Sequence, residues 1–299
     1  MSPNSSSVTI AEPEKNGEAI SFLGETFFRP EDDSTTFLHK DSLLQEANTI
    51  YQTDTNDLQS IIWYGRRLAS MYRFRDAITI FSTGINIHPD APELYRHRGQ
   101  LYIKTRHLDA AIDDLSKAAS LSKDRMIETE PDVIPNKLDI PMSNLRFNIY
   151  YHLGLAWYLK GDYKKAVDAL SSCDLYAINP DLKVAETYWL YLSLLRMGEK
   201  VSAFSLLGTI DPNIEIIEND AYLRILLMHK SLTGKDEFPD SIPDSIVDPI
   251  ELYGISNWYS LKNIPAEASK FRYKILSSTD WFNIGYIAAE ADSSRLQVQ

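Results

Sequence analysis

Small residues recur in this chain at a fixed interval. Gly65 and Gly99 lie 34 residues apart, and so do Ala77 and Ala111. A period of this length implies stacked copies of one supersecondary unit, each burying its apolar face against its neighbours. The spacing settles architecture before any other feature, and it leaves function open, because such arrays serve many purposes.

Residues 58–91 form the first unit, with Ile61, Tyr64, Gly65 and Leu68, then Ala77 and Phe81, then Pro89. The second unit, 92–125, carries Tyr95, Arg98, Gly99, Tyr102, Ala111, Leu115 and Ala118 in register. The third begins at Phe147 and carries Tyr150, Leu153, Gly154, Trp157, Ala166, Leu170 and Cys173, with Pro180 closing it. The small residues let two antiparallel helices approach, and the large ones fill the space on either side. Gly161-Asp162 reads as a helix stop followed by an N-cap.

These residues resemble the tetratricopeptide-repeat (TPR) pattern, and the resemblance covers roughly residues 58–296. It implies an all-α fold, a right-handed α-solenoid of about five to six helix pairs with a capping helix at its C-terminal end. The fourth unit aligns by its turn at Gly198, but Tyr191 stands where a small residue belongs, so that pair should splay or shift. The fifth is interrupted by Pro239, Pro243 and Pro249. The sixth, 249–282, holds Leu252, Tyr259, Ala268 and Ile275, and a helix from about Trp281 to Leu296 is expected to cap the stack.

Segments outside the repeats divide by composition. Residues 1–18 are polar, and disorder is expected. Residues 19–57 are expected to hold a docking segment, rich in Phe22, Leu23, Phe27 and Phe28, and a leading helix. Gly99 and Gly154 are 55 residues apart, so about 21 extra residues (126–146) interrupt the array. Inserts of that length are uncommon unless functional or disordered. Edge packing and a lid over the concave face both remain open, and 235–249 is a second irregular segment.

Composition excludes several classes. The single cysteine, Cys173, forbids an internal disulfide and reads as buried packing. Net charge is −12, with eleven acidic against three basic residues in 1–60, so nucleic acid is not an expected partner. No apolar run approaches the length of a membrane span, and a soluble, cytoplasmic protein is expected. No histidine pair has helical metal-ligand spacing, and no phosphate loop or nucleophile elbow occurs, so neither metal nor cofactor is expected.

The resemblance also implies which residues face the inner groove. Arg66, Arg96, Gln100, Asn148, Tyr151, Tyr158, Tyr188, Arg224, Tyr253 and Asn257 are the candidate ligand contacts. Arginine forks onto carboxylate or phosphate, and tyrosine offers apolar surface with a hydroxyl. The first reading is a binding protein that holds an extended peptide or a small anionic, amphipathic ligand. The second is an unconventional enzyme, with His97, Tyr151, His152 and Tyr158 as acid–base candidates. His97 and His152 share the sixth position of their units with Trp63 and Trp189, which favours ring packing there. A third reading is self-association, with the ends of the array forming a homodimer.

Overall fold

The computed structural model describes residues 16–127, 129–131, 141–231 and 246–297. The expectations for residues 1–15, 128, 132–140 and 232–245 therefore lie outside the described residues. The described chain opens with β1 (Ala19–Ile20) and β2 (Thr26–Phe27), which pair antiparallel, and then α1 (Ser34–Thr53). Three helix hairpins follow: α2 (Leu58–Ser70) with α3 (Phe74–Ile87), α4 (Pro92–Lys104) with α5 (Leu108–Ser122), and α6 (Leu145–Lys160) with α7 (Tyr163–Cys173). Between the second and third lie β3 (Thr129–Glu130) and β4 (Ser143–Asn144), also antiparallel. The fourth hairpin is α8 (Pro180–Arg196) with α9 (Lys200–Gly208). Then come α10 (Asp220–Lys230), the sixth hairpin α11 (Pro249–Leu261) with α12 (Pro265–Leu276), and α13 (Ile284–Gln297).

Local chemistry sets the helix starts. Asp57 accepts from the Ser60 amide at 2.7 Å, Asn144 from Phe147 at 2.9 Å and Asn179 from Leu182 at 2.9 Å. Pro180 and Pro249 occupy first-turn positions, where no amide is needed.

The 34-residue period has a direct steric cause. A Cβ on Gly65 would stand 2.5 Å from the Phe81 ring, and one on Gly154 would stand 2.5 Å from Leu170. In each of the first three hairpins the large residue of the second helix lies on the bare backbone of the first. Tyr191, where a small residue was expected, is wholly buried and donates its hydroxyl proton to His229 Nδ1 at 3.0 Å. Its partner α9 is only nine residues long, and the two helices meet less extensively than α4 and α5.

The turn inside each hairpin uses one left-handed residue: Tyr72 (φ 57°), Arg106 (67°), Gly161 (87°), Gly198 (83°) and Asn263 (60°). Glycine and asparagine enter this region readily, whereas tyrosine and arginine do so at about 1–2 kcal/mol. The two strained residues hold segments from outside the array. Tyr72 donates to Asp32 at 3.1 Å, and Arg106 donates to Glu290 at 2.6 Å and to the Trp281 carbonyl at 2.8 Å.

Helix α13 packs on the last hairpin as the expected C-terminal cap, and its contacts reach further. Every residue from Gly285 to Asp292 is buried, and the helix packs against α11, α12 and α6. Arg295 donates to the Leu159 carbonyl at 2.8 Å, and Arg196 donates to Asp292 at 2.5 Å. The helix thus reaches the C-terminal ends of α6 and α8 and the turn after α4, far beyond the last hairpin. The N-terminal ribbon joins the same junction. The Phe22 amide donates to Glu290, Phe27 stacks on Trp281 at 5.1 Å, and the Trp281 indole donates to the Phe28 carbonyl at 2.9 Å.

Candidate functional site

Hairpins one to three surround a cavity of about 480 Å³. Arg66 (α2), Arg96, His97, Gln100 and Lys104 (α4), Asn148 (α6) and Glu130 (β3) line it, with Phe81 and Leu101 as apolar wall. Four of the ten sequence-chosen ligand contacts, Arg66, Arg96, Gln100 and Asn148, therefore share one cavity. They do so because the inner-face positions of consecutive first helices are adjacent when the hairpins stack.

Arg96 is buried, and burial lowers its pKa. It donates to His97 Nδ1 at 2.7 Å and to Gln100 Oε1 at 3.2 Å, so its guanidinium leans down α4. Its Nε lies 3.2 Å from Glu130 Oε2 without hydrogen-bond alignment. Since His97 Nδ1 accepts, the ring proton sits on Nε2, 3.4 Å from Glu130 Oε1. Burial, then Arg96, Arg66 and His152, hold the His97 pKa well below its ordinary value. The ring also stacks on Phe81 at 5.4 Å. Asn148 donates to Glu130 Oε2 at 2.5 Å and to Ser143 Oγ at 2.8 Å. Arg66 donates to the Pro131 carbonyl, and its guanidinium covers the Trp63 ring at 4.5 Å.

Four charged residues in this cavity, Lys40, Lys104, Glu130 and Glu218, were not singled out from sequence. Glu130 lies in the insert, where no periodic pattern marks it. Lys104 continues the line of Arg96 and Gln100 at four-residue steps on α4, a signal that was readable. Its ammonium lies near the faces of Phe74 (5.3 Å) and Phe282 (5.8 Å), with no hydrogen-bond or ion-pair partner among the described residues. Burial, with Arg96 nearby, lowers its pKa to about 8. Lys40, by contrast, is neutralised by Asp32 at 2.8 Å.

The same close contact of a first-helix glycine with its partner helix recurs in three successive hairpins, at the positions the repeat pattern requires. The described helices stack as hairpins whose close contacts follow the repeat pattern of the sequence. No family model and no curated protein matches this chain. Among solved structures it is similar to YrrB, a TPR protein with an unusual peptide-binding site (13% identity, TM-score 0.44, covering 77% of this chain and 90% of that one). It is also similar to the MamA protein (16%, TM-score 0.44, 71% and 93%) and to pilF of Pseudomonas aeruginosa (10%, TM-score 0.42, 75% and 94%). No helix among the described residues is long and apolar enough to cross a membrane.

The other sequence-chosen residues lie elsewhere in the TPR-like array. Tyr158, Tyr188 and Tyr253 are wholly buried. Tyr158 and Tyr253 hydroxyls meet at 2.8 Å, and Tyr253 donates onward to Asp292 at 2.9 Å. Tyr151 meets Tyr222 at 3.0 Å and accepts from the Trp189 indole at 3.1 Å. Asn257 accepts from Arg196 at 3.1 Å. These side chains hold α13 and one another, so they face packed interior. Arg224 lies on the surface, bound to Glu251 at 2.6 Å and to Asp220.

Among the acid–base candidates only His97 lines the cavity. His152 donates from Nδ1 to the Asn148 carbonyl at 2.6 Å, and burial depresses its pKa to about 3. Burial pushes Tyr158 up to about 12 and Tyr151 well above its ordinary value. Cys173 is fully buried with its pKa raised, as a packing residue should be.

Proposed function

We propose that this TPR-like array is a binding module for a small carboxylate-bearing ligand, held in the cavity between hairpins one, two and three. One observation carries the reading: Arg96, His97 and Asn148, from two different first helices, converge on the single carboxylate of Glu130. Donors so placed accept a ligand carboxylate by the same contacts, and charge-assisted hydrogen bonds are the stronger class. Lys104 adds a cation with no ion-pair partner among the described residues. A compact ligand suits this geometry better than an extended peptide, because tyrosines and α13 occupy the inner face of the later hairpins.

The test uses glutarate and its dimethyl ester. Glutarate should raise the melting temperature and the ester should not. The double variant Arg66→Ala with Arg96→Ala should fold and lose the response. An equal response from wild type and double variant overturns the site.

A further inference from the structure

We infer that Lys104 is a nucleophilic amine that captures the carbonyl of a small oxo-carboxylic acid as an imine, within the cavity where Arg96 holds the acid's carboxylate. The inference rests on the cavity reading above and goes beyond it, because it adds a covalent step.

Geometry supplies the argument. Arg96, Gln100 and Lys104 stand one above another on α4, with about 12 Å of helix axis between the first and last. Arg96 leans along that axis towards Lys104 by its bond to Gln100. Its Nε is buried without an aligned acceptor. Lys104 lines the same cavity as Glu130 and Glu218, with aromatic rings beside its ammonium and no ion-pair partner among the described residues. Six described lysines do have such a partner: Lys40, Lys160, Lys164, Lys165, Lys183 and Lys270 all sit in ion pairs. A lysine outside any ion pair and desolvated by rings is less costly to hold neutral. Burial and the Arg96 charge act in that direction, and the nearest titratable ring on α6, His152, stays uncharged at neutral pH. About a tenth of the amine is then free at pH 7, the state that attacks carbonyls.

The step balances without an oxidant. The Nζ lone pair forms a bond to the carbonyl carbon, and the carbonyl oxygen takes up protons from the nitrogen. It leaves as water, and a C=N bond joins ligand to Lys104. Water reverses the reaction. The ligand class is a short acid with a ketone or aldehyde near its carboxylate.

The experiment incubates the full chain with pyruvate and sodium cyanoborohydride and maps the reduced adduct by peptide mass spectrometry. Lys104 should be labelled at least tenfold more than the exposed lysines Lys164 and Lys270. Arg96→Ala should reduce the label at Lys104, Lys104→Arg should abolish it there, and glutarate should protect. Label at Lys104 no greater than at Lys164 overturns the inference. If glutarate then still raises the melting temperature through Arg66 and Arg96, the cavity reading stands alone. If glutarate has no effect either, both fall.

Discussion

Hairpins one to three and hairpins four to six use the same inner-face positions in opposite ways. In the first group Arg66, Arg96, Gln100 and Asn148 at those positions surround a cavity, while Tyr151 and Tyr158 of the third hairpin already turn to packed interior. In the second those positions hold Tyr188, Tyr253 and Asn257, packed to closure beneath α13. A repeat scaffold leaves its inner face free to vary, since hairpin stacking depends on the glycine and alanine contacts instead. One half can therefore be spent on a polar site while the other supplies a rigid, filled core behind it.

The contrast can be broken hardest at the junction. Glu290 is wholly buried and holds Arg106 and the Phe22 amide. Glu290→Ala leaves Arg106 charged and buried without its partner, which should destabilise by about 3–5 kcal/mol. Urea unfolding would show it as a lower midpoint, and a change below 1 kcal/mol would mean that α13 does not hold the halves together.

Acid provides the next test, because both halves bury neutral histidines: His152 near the cavity (pKa about 3) and His229 beneath the fourth hairpin (about 4). Their folded pKa values lie below the ordinary 6.5, so the unfolded chain binds more protons as pH falls. Stability is lost from about pH 6.5 downwards until the folded pKa is reached. At pH 5 the loss should be about 2 kcal/mol for each histidine. Denaturant midpoints at pH 7.5 and 5 would measure it, and a flat profile would show that the rings are not sealed from water.

The smallest effect is expected at Arg224. It is half exposed with surface carboxylates as partners, and such pairs contribute little. Arg224→Ala should change stability by about 0.5 kcal/mol or less and leave the glutarate response intact. Loss of that response would extend the site into the second half and dissolve the contrast.

The architecture was legible because its cause is local: a glycine facing a large residue at a fixed offset marks each of the first three hairpins. Arg66, Arg96, Gln100 and Asn148 were legible for the same reason, as register alone places them side by side. The tyrosines read equally well as groove residues, but a segment more than thirty residues beyond Tyr253 fills that groove. The small residues Gly285, Ala288, Ala289 and Ala291 were the sign of a helix packed on all sides. Glu130 had no sign at all, since a two-residue strand follows no period. Tyr72 and Arg106 were hidden for another reason: their strained turns are offset by contacts to Asp32 and Glu290, remote in sequence.

The clasp at Arg106 and Glu290 has a consequence for how such a chain can vary. An open stack of repeats can gain or lose a copy at either end with little harm to the rest. Here the ribbon before the first hairpin and the helix after the last meet on the turn of the second, so an added hairpin would pull them apart. The number of repeats between the ribbon and the last helix is thereby locked.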